Sequence, residues 1–174
     1  MARVEAGALP MRAEATDLFD AVASAAHDSR SALADRQLDV QIPPDIPLVR
    51  VDPVLLHHIL INLLDNAGRY GDPGTPVTVR SLREPDAISL SVIDQGPGIP
   101  AGMEARVFDT FTRLEGSDRS KTGTGLGLAI VKAFAEAMGL TVSARTVSEP
   151  AGACFTLHIP QSLILTDIME KDIA

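Results

Sequence analysis

The stretch VDPVLLHHILINLLDNAGRYGDP, residues 51–73, contains a helix together with its start and stop signals. Asp52 and Pro53 are typical of a helix N-terminus, because a carboxylate caps unpaired backbone N–H groups and proline fits the first helical position. Gly71 and Pro73 are typical of a helix C-terminus. The sequence therefore predicts one helix between these signals, with the other elements arranged around it.

The segments on either side of this helix predict further strands and helices. Upstream, a helix is predicted from the N-cap Thr16 to Leu33, followed by a half-buried strand over 38–42 and a short extended piece over 48–51. Downstream, alternating polar and apolar residues predict two strand pairs, TPVTVRSL with AISLSVID and LTVSARTV with ACFTLHIP.

Two more helical segments are predicted between these strand pairs. A short one covers 104–111, and a longer one begins after Gly125 and ends at Gly139. The apolar face of the longer helix is predicted to consist of Leu126, Ile130, Phe134 and Met138. Several antiparallel strands with three principal helices on one face of one sheet make an α+β fold, a two-layer α/β sandwich.

Composition and charge limit the possible functions. The chain has 174 residues, which suits one domain, and 45% of them are hydrophobic. Its formal net charge of −8 argues against a nucleic-acid partner. Its one cysteine excludes a disulfide framework, its four histidines lack metal-ligand spacing, and its longest apolar run is too short to span a bilayer.

Four polar residues, Asn62, Asn66, Arg69 and Tyr70, follow one another along the predicted helix. Positions four apart share a helix face, and asparagine is unfavourable inside helices, so two of them among leucines indicate a purpose. Their amide oxygens suit Mg²⁺, while arginine suits phosphate and tyrosine suits a flat ring. The alternative is a solvated polar stripe.

Two glycine-containing loops add further candidate sites. In DQGPGIP, residues 94–100, Asp94 ends a strand and would accept a hydrogen bond from an exocyclic amine; the alternative is an ordinary turn. In KTGTGLGLAI, residues 121–130, backbone N–H groups at a helix start suit an anion, with Arg113, Arg119 and Lys121 before them. The alternative here is a flexible surface loop. A dinucleotide fingerprint is not favoured, because that motif follows a strand.

Four stretches in this order, NLLDNAGRY, DQGPGIP, VFDTFTRL and GTGLGLAI, resemble the N, G1, F and G2 boxes of the ATP-binding catalytic domain of sensor histidine kinases. The resemblance covers most of residues 14–160 and extends to the wider family of gyrase, Hsp90 and MutL ATPases. It implies the Bergerat (GHKL) fold, with ATP and Mg²⁺ as cofactors. The phrases GDPGTPVTV and GPGIP further resemble the potassium-responsive KdpD-type sensor kinases.

The resemblance also implies a role for each site residue. Asn66 would coordinate Mg²⁺ with the help of Asn62, and Arg69 would contact phosphate, which makes these three the implied catalytic residues. Tyr70 would pack against adenine, and Asp94 would bind the adenine amino group. Gly96 and Gly98 would shape the adenine pocket, and Phe108 and Phe111 would anchor the lid, the glycine-rich segment that closes over ATP. The implied contacts of the lid and of the helix start after it with the nucleotide are Arg113, Lys121, Gly123, Gly125, Leu126 and Gly127. Gly68 and Thr112 depart from the family pattern and predict weaker nucleotide binding.

Asn62 distinguishes between the members of this wider family. The hydrolytic members have a glutamate at this place, one turn before the metal-binding asparagine, and an amide has no useful basicity. The resemblance therefore implies a histidine kinase that passes the γ-phosphoryl group to a histidine and then to a response regulator. The chain's own histidines, His27, His57, His58 and His158, are interpreted as structural or surface residues.

The accepting histidine is therefore expected on a separate upstream domain. Residues 1–13 are interpreted as the linker from that domain, 14–160 as the catalytic domain and 161–174 as a tail. The resemblance implies a cytoplasmic domain of a membrane-anchored kinase, without direct membrane contact of its own. Two alternatives stay open: a regulatory module that contacts partners through exposed Ile164, Leu165 and Ile168, and a gyrase-like ATPase.

Overall fold

The computed structural model describes residues 10–109 and 125–166, and within these ranges it contains eight strands and four α-helices. In chain order they are β1 Glu14–Thr16, α1 Leu18–Asp28, α2 Arg30–Leu33, β2 Leu38–Gln41, β3 Leu48–Val51, α3 Pro53–Tyr70, β4 Val77–Arg83, β5 Ala87–Ile93, α4 Gly127–Ala137, β6 Thr141–Ser148, β7 Ala151–Pro160 and β8 Ile164–Leu165. Short 3₁₀ turns cover Arg106–Phe108 and Gln161–Leu163.

The strands form two sheets. The larger has five strands in the order β2-β4-β5-β7-β6, in which β2 and β4 are parallel and every other pair is antiparallel. Along β4, buried Val77 and Val79 alternate with the more exposed Thr78 and Arg80, so one face of this sheet is covered. The smaller sheet, β1-β3-β8, is antiparallel. The two-layer α/β sandwich predicted from the sequence is confirmed, whereas the prediction of one sheet is wrong, because β1, β3 and β8 pair with one another and form a second sheet.

Helix α3 is the centre of the helical layer. It packs against α1, α2 and α4 and also contacts β4 and β5. Its buried residues are Leu55, Leu56, Ile59, Leu60, Leu63, Leu64 and Ala67. Burying one such leucine stabilises the fold by about 1.5–3 kcal/mol relative to leaving it in water, so this helix anchors the core.

Asp52 caps α3 as the sequence predicts. Its Oδ1 accepts hydrogen bonds from the backbone N–H groups of Val54 and Leu55, and its Oδ2 accepts one from Arg12. The backbone N–H of Arg12 is the largest cause that lowers the pKa of Asp52, and the two helix N–H groups act in the same direction against burial. The cap therefore also ties residue 12 to the helix.

We expect Asp52→Ala to lower the free energy of unfolding by about 1–2 kcal/mol at pH 7, because it removes the cap. Since the folded-state pKa of Asp52 lies below 3.8, its stabilisation is complete above that pH and is lost as pH falls through the folded pKa. Urea denaturation at pH 7 and pH 3, with exposed Asp45→Ala as the control, should show a smaller difference at pH 3. An equal difference at both pH values would contradict this account of the cap.

Several boundaries differ from the sequence predictions. The N-cap of α1 is Asp17, whose side chain accepts from the Asp20 N–H, and not Thr16, which ends β1 and pairs with Val49. The predicted helix over 104–111 is a 3₁₀ turn at Arg106–Phe108, and positions from 110 onward lie outside the described residues.

The predicted faces of α4 and of the segment after Pro160 are also corrected. The residues that α4 buries are Val131 and Ala135, and its C-cap Met138 is buried as predicted. The other three residues of the predicted face, Leu126, Ile130 and Phe134, are only half-buried. The residues predicted as an exposed contact surface are not exposed: Ile164 is buried and Leu165 is half-buried, because β8 pairs with β3. Ile168 lies outside the described residues.

Gly68 has a packing role within α3. A Cβ at this position would overlap the backbone carbonyl oxygen of Ala32. Gly68 therefore allows α2 to approach α3 closely, which gives a structural reason for a glycine so near the end of a helix.

Candidate functional site

The predicted site segments meet along the C-terminal half of α3. A Cβ on Gly96 would lie 2.6 Å from the Tyr70 carbonyl oxygen, and one on Gly127 would lie 3.1 Å from Asn62 Oδ1. The loop that begins at Asp94 therefore touches the end of α3, while the start of α4 touches the same helix two turns earlier. Between Asn62 and Tyr70 the helix rises by about 12 Å.

Asp94 is fixed between two strands. It follows β5, and its backbone N–H donates to the Ala153 carbonyl of β7 (3.0 Å), while the Ala153 N–H donates to Asp94 Oδ1 (3.1 Å). Only 3% of Asp94 is exposed. Among the described residues Oδ1 is thus engaged by the backbone, which leaves Oδ2 as the acceptor for an external donor.

The electrostatic surroundings of Asp94 act in both directions. Burial raises the pKa of Asp94 above the ordinary aspartate value, and this effect is the largest. The Ala153 N–H and the positive charge of Arg36 lower the pKa, while the negative charge of Asp72 raises it. An ionised Asp94 is therefore held at a cost in free energy that a hydrogen-bond donor on a ligand would offset.

Two close contacts fix the loop after Asp94. A Cβ on Gly152 would overlap the Asp94 carbonyl oxygen, so β7 approaches this loop without any side chain between them. Further along, Gly98 has a φ of +75°, a value that favours glycine, and Thr146 Oγ1 bonds both the N–H and the carbonyl of the next residue, Ile99 (3.0 and 2.9 Å). The glycine-containing loop is held in one backbone conformation.

The two asparagines lie one turn apart on α3, and both are half-buried. The Asn62 Nδ2 group donates to the His58 carbonyl (2.8 Å), which leaves Oδ1 directed at the start of α4. Arg69 and Tyr70 follow on the last turn and are half-buried as well. The structure thus places these four side chains along the helix segment that also touches the other two motifs.

The remaining predicted site residues divide into three groups. Phe108 is buried and packs edge-to-face on Phe155, with ring centroids 6.2 Å apart. Its ring therefore belongs to the core, which suits the predicted role of anchoring the lid. Gly125 and Leu126 lie half-buried directly before α4. Outside the described residues lie Phe111, Arg113, Lys121 and Gly123.

Comparison with known families agrees with this geometry. Residues 51–163, from the end of β3 to the turn after β7, match the family described as "Histidine kinase-, DNA gyrase B-, and HSP90-like ATPase". The chain belongs to this ATPase family. The resemblance inferred from the four boxes is confirmed, and the matched range contains the described parts of the site.

Within the ATPase family the chain is similar to sensor histidine kinases. It is 36% identical over 161 residues to the probable sensor histidine kinase TcrY of Mycobacterium tuberculosis, with 92% of this chain covered. It is 34% identical over 161 residues to the sensor protein KdpD of Escherichia coli, again with 92% covered. The two identities are nearly equal, so the similarity extends beyond KdpD.

A solved structure gives the same result. The mycobacterial sensor histidine kinase MprB superposes with a TM-score of 0.74 at 31% identity, covering 84% of this chain and 97% of that structure. The chain spans 33% of the length of TcrY and 18% of that of KdpD. It is therefore homologous to one part of these kinases, their ATPase catalytic domain.

Sequence reasoning missed three residues that shape the site of this ATPase domain. Thr146 on β6 bonds Ile99 in the loop after Asp94, and Gly152 on β7 lies against the Asp94 carbonyl group. Arg36 lies before β2 and bonds the carbonyl oxygen of Gly71 at the end of α3. None belongs to a motif, because each acts on residues at least 30 positions away in the sequence.

No helix within 10–109 or 125–166 has the length and apolar character needed to cross a bilayer.

Proposed function

We propose that this chain binds ATP with Mg²⁺ and donates the γ-phosphoryl group to a histidine on a separate domain of a sensor histidine kinase. One observation carries the proposal: a buried carboxylate and a helix N-terminus lie against the C-terminal part of α3 and its C-cap, from Asn62 to Gly71, and this part of the helix itself carries the two amides. These groups have the chemistry needed for adenine, for a hydrated metal ion and for phosphate.

The Asp94 end of the site suits adenine. The Asp94 carboxylate would accept a hydrogen bond from the exocyclic amino group, and Tyr70 would pack against the ring. Gly96 and Gly98 let the loop after Asp94 pack closely on both sides, because a Cβ on Gly96 would meet the Tyr70 carbonyl oxygen and one on Gly98 would meet the Thr146 side chain. The site would therefore select a base with an amino group at this position.

The Asn62 end suits the metal and the phosphates. Because Asn62 Nδ2 is engaged by the His58 carbonyl, its Oδ1 is presented as an acceptor beside α4, and Asn66 adds a second amide on the next turn. These are hard oxygen ligands of the kind that Mg²⁺ accepts. When bound, Mg²⁺ would neutralise phosphate charge, while Arg69 and the N–H groups at the start of α4 would hold the phosphate oxygens.

Transfer then requires a nucleophile from elsewhere. An unprotonated imidazole nitrogen would form a bond to the γ-phosphorus as the bond to the β–γ bridging oxygen breaks, and ADP would leave with that electron pair. Asn62 cannot activate water, so hydrolysis by this chain alone would be very slow. The gyrase-like ATPase is therefore the weaker alternative.

The histidines of the chain are engaged in local contacts. His57 Nε2 lies 2.9 Å from Asp28, His158 Nε2 lies 2.9 Å from Ser143 Oγ, and the His58 ring packs edge-to-face on Phe134. His27 lies 3.1 Å from the Arg30 guanidinium. These contacts support an acceptor on a separate domain.

The arrangement of the full protein is part of the same proposal. The acceptor domain would precede residues 1–13, and the kinase would be membrane-anchored, with this domain in the cytoplasm. The catalytic domain, predicted to cover 14–160, would also include β8, because that strand pairs with β3. A response regulator would receive the phosphoryl group, and a KdpD-type kinase remains a prediction. The alternative of a contact module loses its main support, because Ile164 is buried against β3.

Phosphotransfer tests the proposal directly. With labelled ATP and Mg²⁺, the chain should label a separately supplied helical domain that carries a phosphoacceptor histidine, because it supplies ATP binding but no acceptor. The same domain with His→Gln at that position is the control and should stay unlabelled. Label on this chain itself, or steady phosphate release without the acceptor domain, would contradict the proposal.

A further inference from the structure

Arg36, which lies between α2 and β2, contacts the end of α3 and the loop after it. Its Nη2 donates to the carbonyl oxygens of Gly68 (3.2 Å) and Gly71 (2.8 Å). Its Nη1 donates to the carbonyl oxygens of Asp72 (2.6 Å) and Thr75 (3.3 Å). One guanidinium therefore spans the helix end and the loop.

One of the bonded oxygens, that of Gly68, lies in the last turn of α3, and the other three belong to the C-cap Gly71 and to the loop after it. The last carbonyl groups of an α-helix lack intrahelical donors and form the negative end of its dipole. A guanidinium has five N–H donors in a planar fork, so it can bond several such oxygens at once, whereas an ammonium group acts as a point charge. Arg36 thus fixes the direction in which the chain leaves α3.

That loop is directly attached to the adenine end of the site. The Asp72 N–H donates to the Gln95 carbonyl (2.6 Å). The Thr75 hydroxyl donates to the Asp72 carbonyl (2.6 Å), and its Oγ1 also lies 3.2 Å from the Gln95 carbonyl oxygen. Gln95 is the residue after Asp94. The contacts therefore run from Arg36 through the loop over 71–75 to the backbone that carries the Asp94 carboxylate.

The charge of Arg36 acts on the same group. Among the charged residues within 10–109 and 125–166, Arg36 and Asp72 are those whose fields reach Asp94, and they act in opposite directions. Arg36 lowers the pKa of Asp94 against the larger effect of burial. Geometry and charge thus both connect Arg36 to the residue that would recognise adenine.

We propose that Arg36 is a positioning residue for the nucleotide site, which holds the Asp94 loop against the end of α3 and keeps the Asp94 carboxylate able to accept a hydrogen bond. The inference rests on the proposed function, because it assigns a role within that site. Arg36 itself would not touch the nucleotide.

The test compares Arg36→Gln and Arg36→Lys with the wild-type chain, and uses Arg80→Gln as a matched control. Arg80 is an exposed arginine on β4 whose Nε donates to the Gln41 side chain. Two quantities are measured between pH 4 and pH 8: the affinity for a non-hydrolysable ATP analogue with Mg²⁺, and the NMR titration of the Asp94 carboxyl group in the unliganded chain.

For Arg36→Gln we expect an affinity about tenfold weaker at pH 7, since small displacements of a binding group have large effects. We also expect the acid limb of the affinity profile and the Asp94 titration to move to higher pH, because burial is no longer opposed by the arginine charge. Arg36→Lys should bind more weakly than wild type but keep the wild-type pH limb, because it retains the charge without the fork. Arg80→Gln should match wild type in both measurements.

Three outcomes would overturn this role. Wild-type affinity in Arg36→Gln would exclude it, and so would a loss of affinity that is equal at every pH with an unchanged Asp94 titration, since that result indicates a merely structural residue. If Arg36→Gln does not fold, wild-type affinity in Arg36→Lys would exclude the role of the fork. If the wild-type chain does not bind the ATP analogue, the proposed function is overturned as well. The Asp94 titration is measured in the unliganded chain, so it tests the effect of the Arg36 charge on Asp94 even in that case.

Discussion

Asp94→Asn is expected to weaken binding of a non-hydrolysable ATP analogue by about a hundredfold. The Ala153 N–H would hold the new amide oxygen at the place of Oδ1, so the NH₂ group would take the place of Oδ2 and face the adenine amino group. The substitution replaces a charge-assisted acceptor with a donor, and a hydrogen bond to a charged group contributes about 1.5–3 kcal/mol. Calorimetric titration with Mg²⁺ measures the loss.

The same substitution should not destabilise the unliganded fold. Because burial raises the folded-state pKa of Asp94, the wild-type chain loses stability as pH rises through that pKa, and the asparagine variant does not. Urea denaturation from pH 4 to pH 8 should therefore show a stability difference that increasingly favours the variant. Asp45→Asn, at an exposed aspartate whose charge is not among those that act on Asp94, is the control and should retain nucleotide binding. Wild-type affinity in Asp94→Asn would exclude Asp94 as the adenine acceptor.

Gly152→Ala is expected to lower the free energy of unfolding by about 3 kcal/mol. The added Cβ would overlap the Asp94 carbonyl oxygen and lie 3.0 Å from the Gln95 Cα, and both obstacles are backbone atoms that cannot rotate away. For a chain of this size such a loss lowers Tm by about 6–12 °C, which thermal unfolding followed by circular dichroism measures.

The matched control for this position is Ala151→Ser, because Ala151 is exposed at the start of the same strand. It should change the unfolding free energy by less than about 0.5 kcal/mol. If Gly152→Ala were as stable as this control, the close approach of β7 to the Asp94 loop would be wrong. The nucleotide affinity of the alanine variant should fall as well, because the same backbone carries Asp94.

The central helix was predictable because its signals are local. Asp52, Pro53 and Gly71 act on neighbouring backbone groups, so their effects can be read within a few positions. Thr16 and Asp17 are both residues that cap helices, and the choice between them depends on the pairing of Thr16 with Val49, which is distant in sequence. Long-range pairing therefore decided the boundary that the sequence prediction missed.

The differences at β8 and at α4 also arise from contacts between residues that are distant in sequence. Strand β8 has two residues, which is too short for an alternating pattern, and its place is set by β3. The four-residue spacing of Leu126, Ile130 and Phe134 indicated a face of α4. The start of that helix instead lies against Asn62, and the residues that it buries in the core are Val131 and Ala135.

The candidate site was predictable where motifs carry it and not where other segments support it. Asp94, Asn62 and Asn66 have residue types and spacings that indicate their chemistry. Arg36 and Thr146 act through backbone atoms 32–39 and 47 positions away, respectively, and such contacts exist only in the folded chain. Their side chains carry no signal in a single sequence.

The most direct test of the account is a crystal structure of the chain with a non-hydrolysable ATP analogue and Mg²⁺. We predict the adenine amino group within hydrogen-bond distance of Asp94 Oδ2, with the phosphates and the metal beside Asn62, Asn66 and the start of α4. A nucleotide bound away from the C-terminal half of α3, or with its base remote from Asp94, would contradict it.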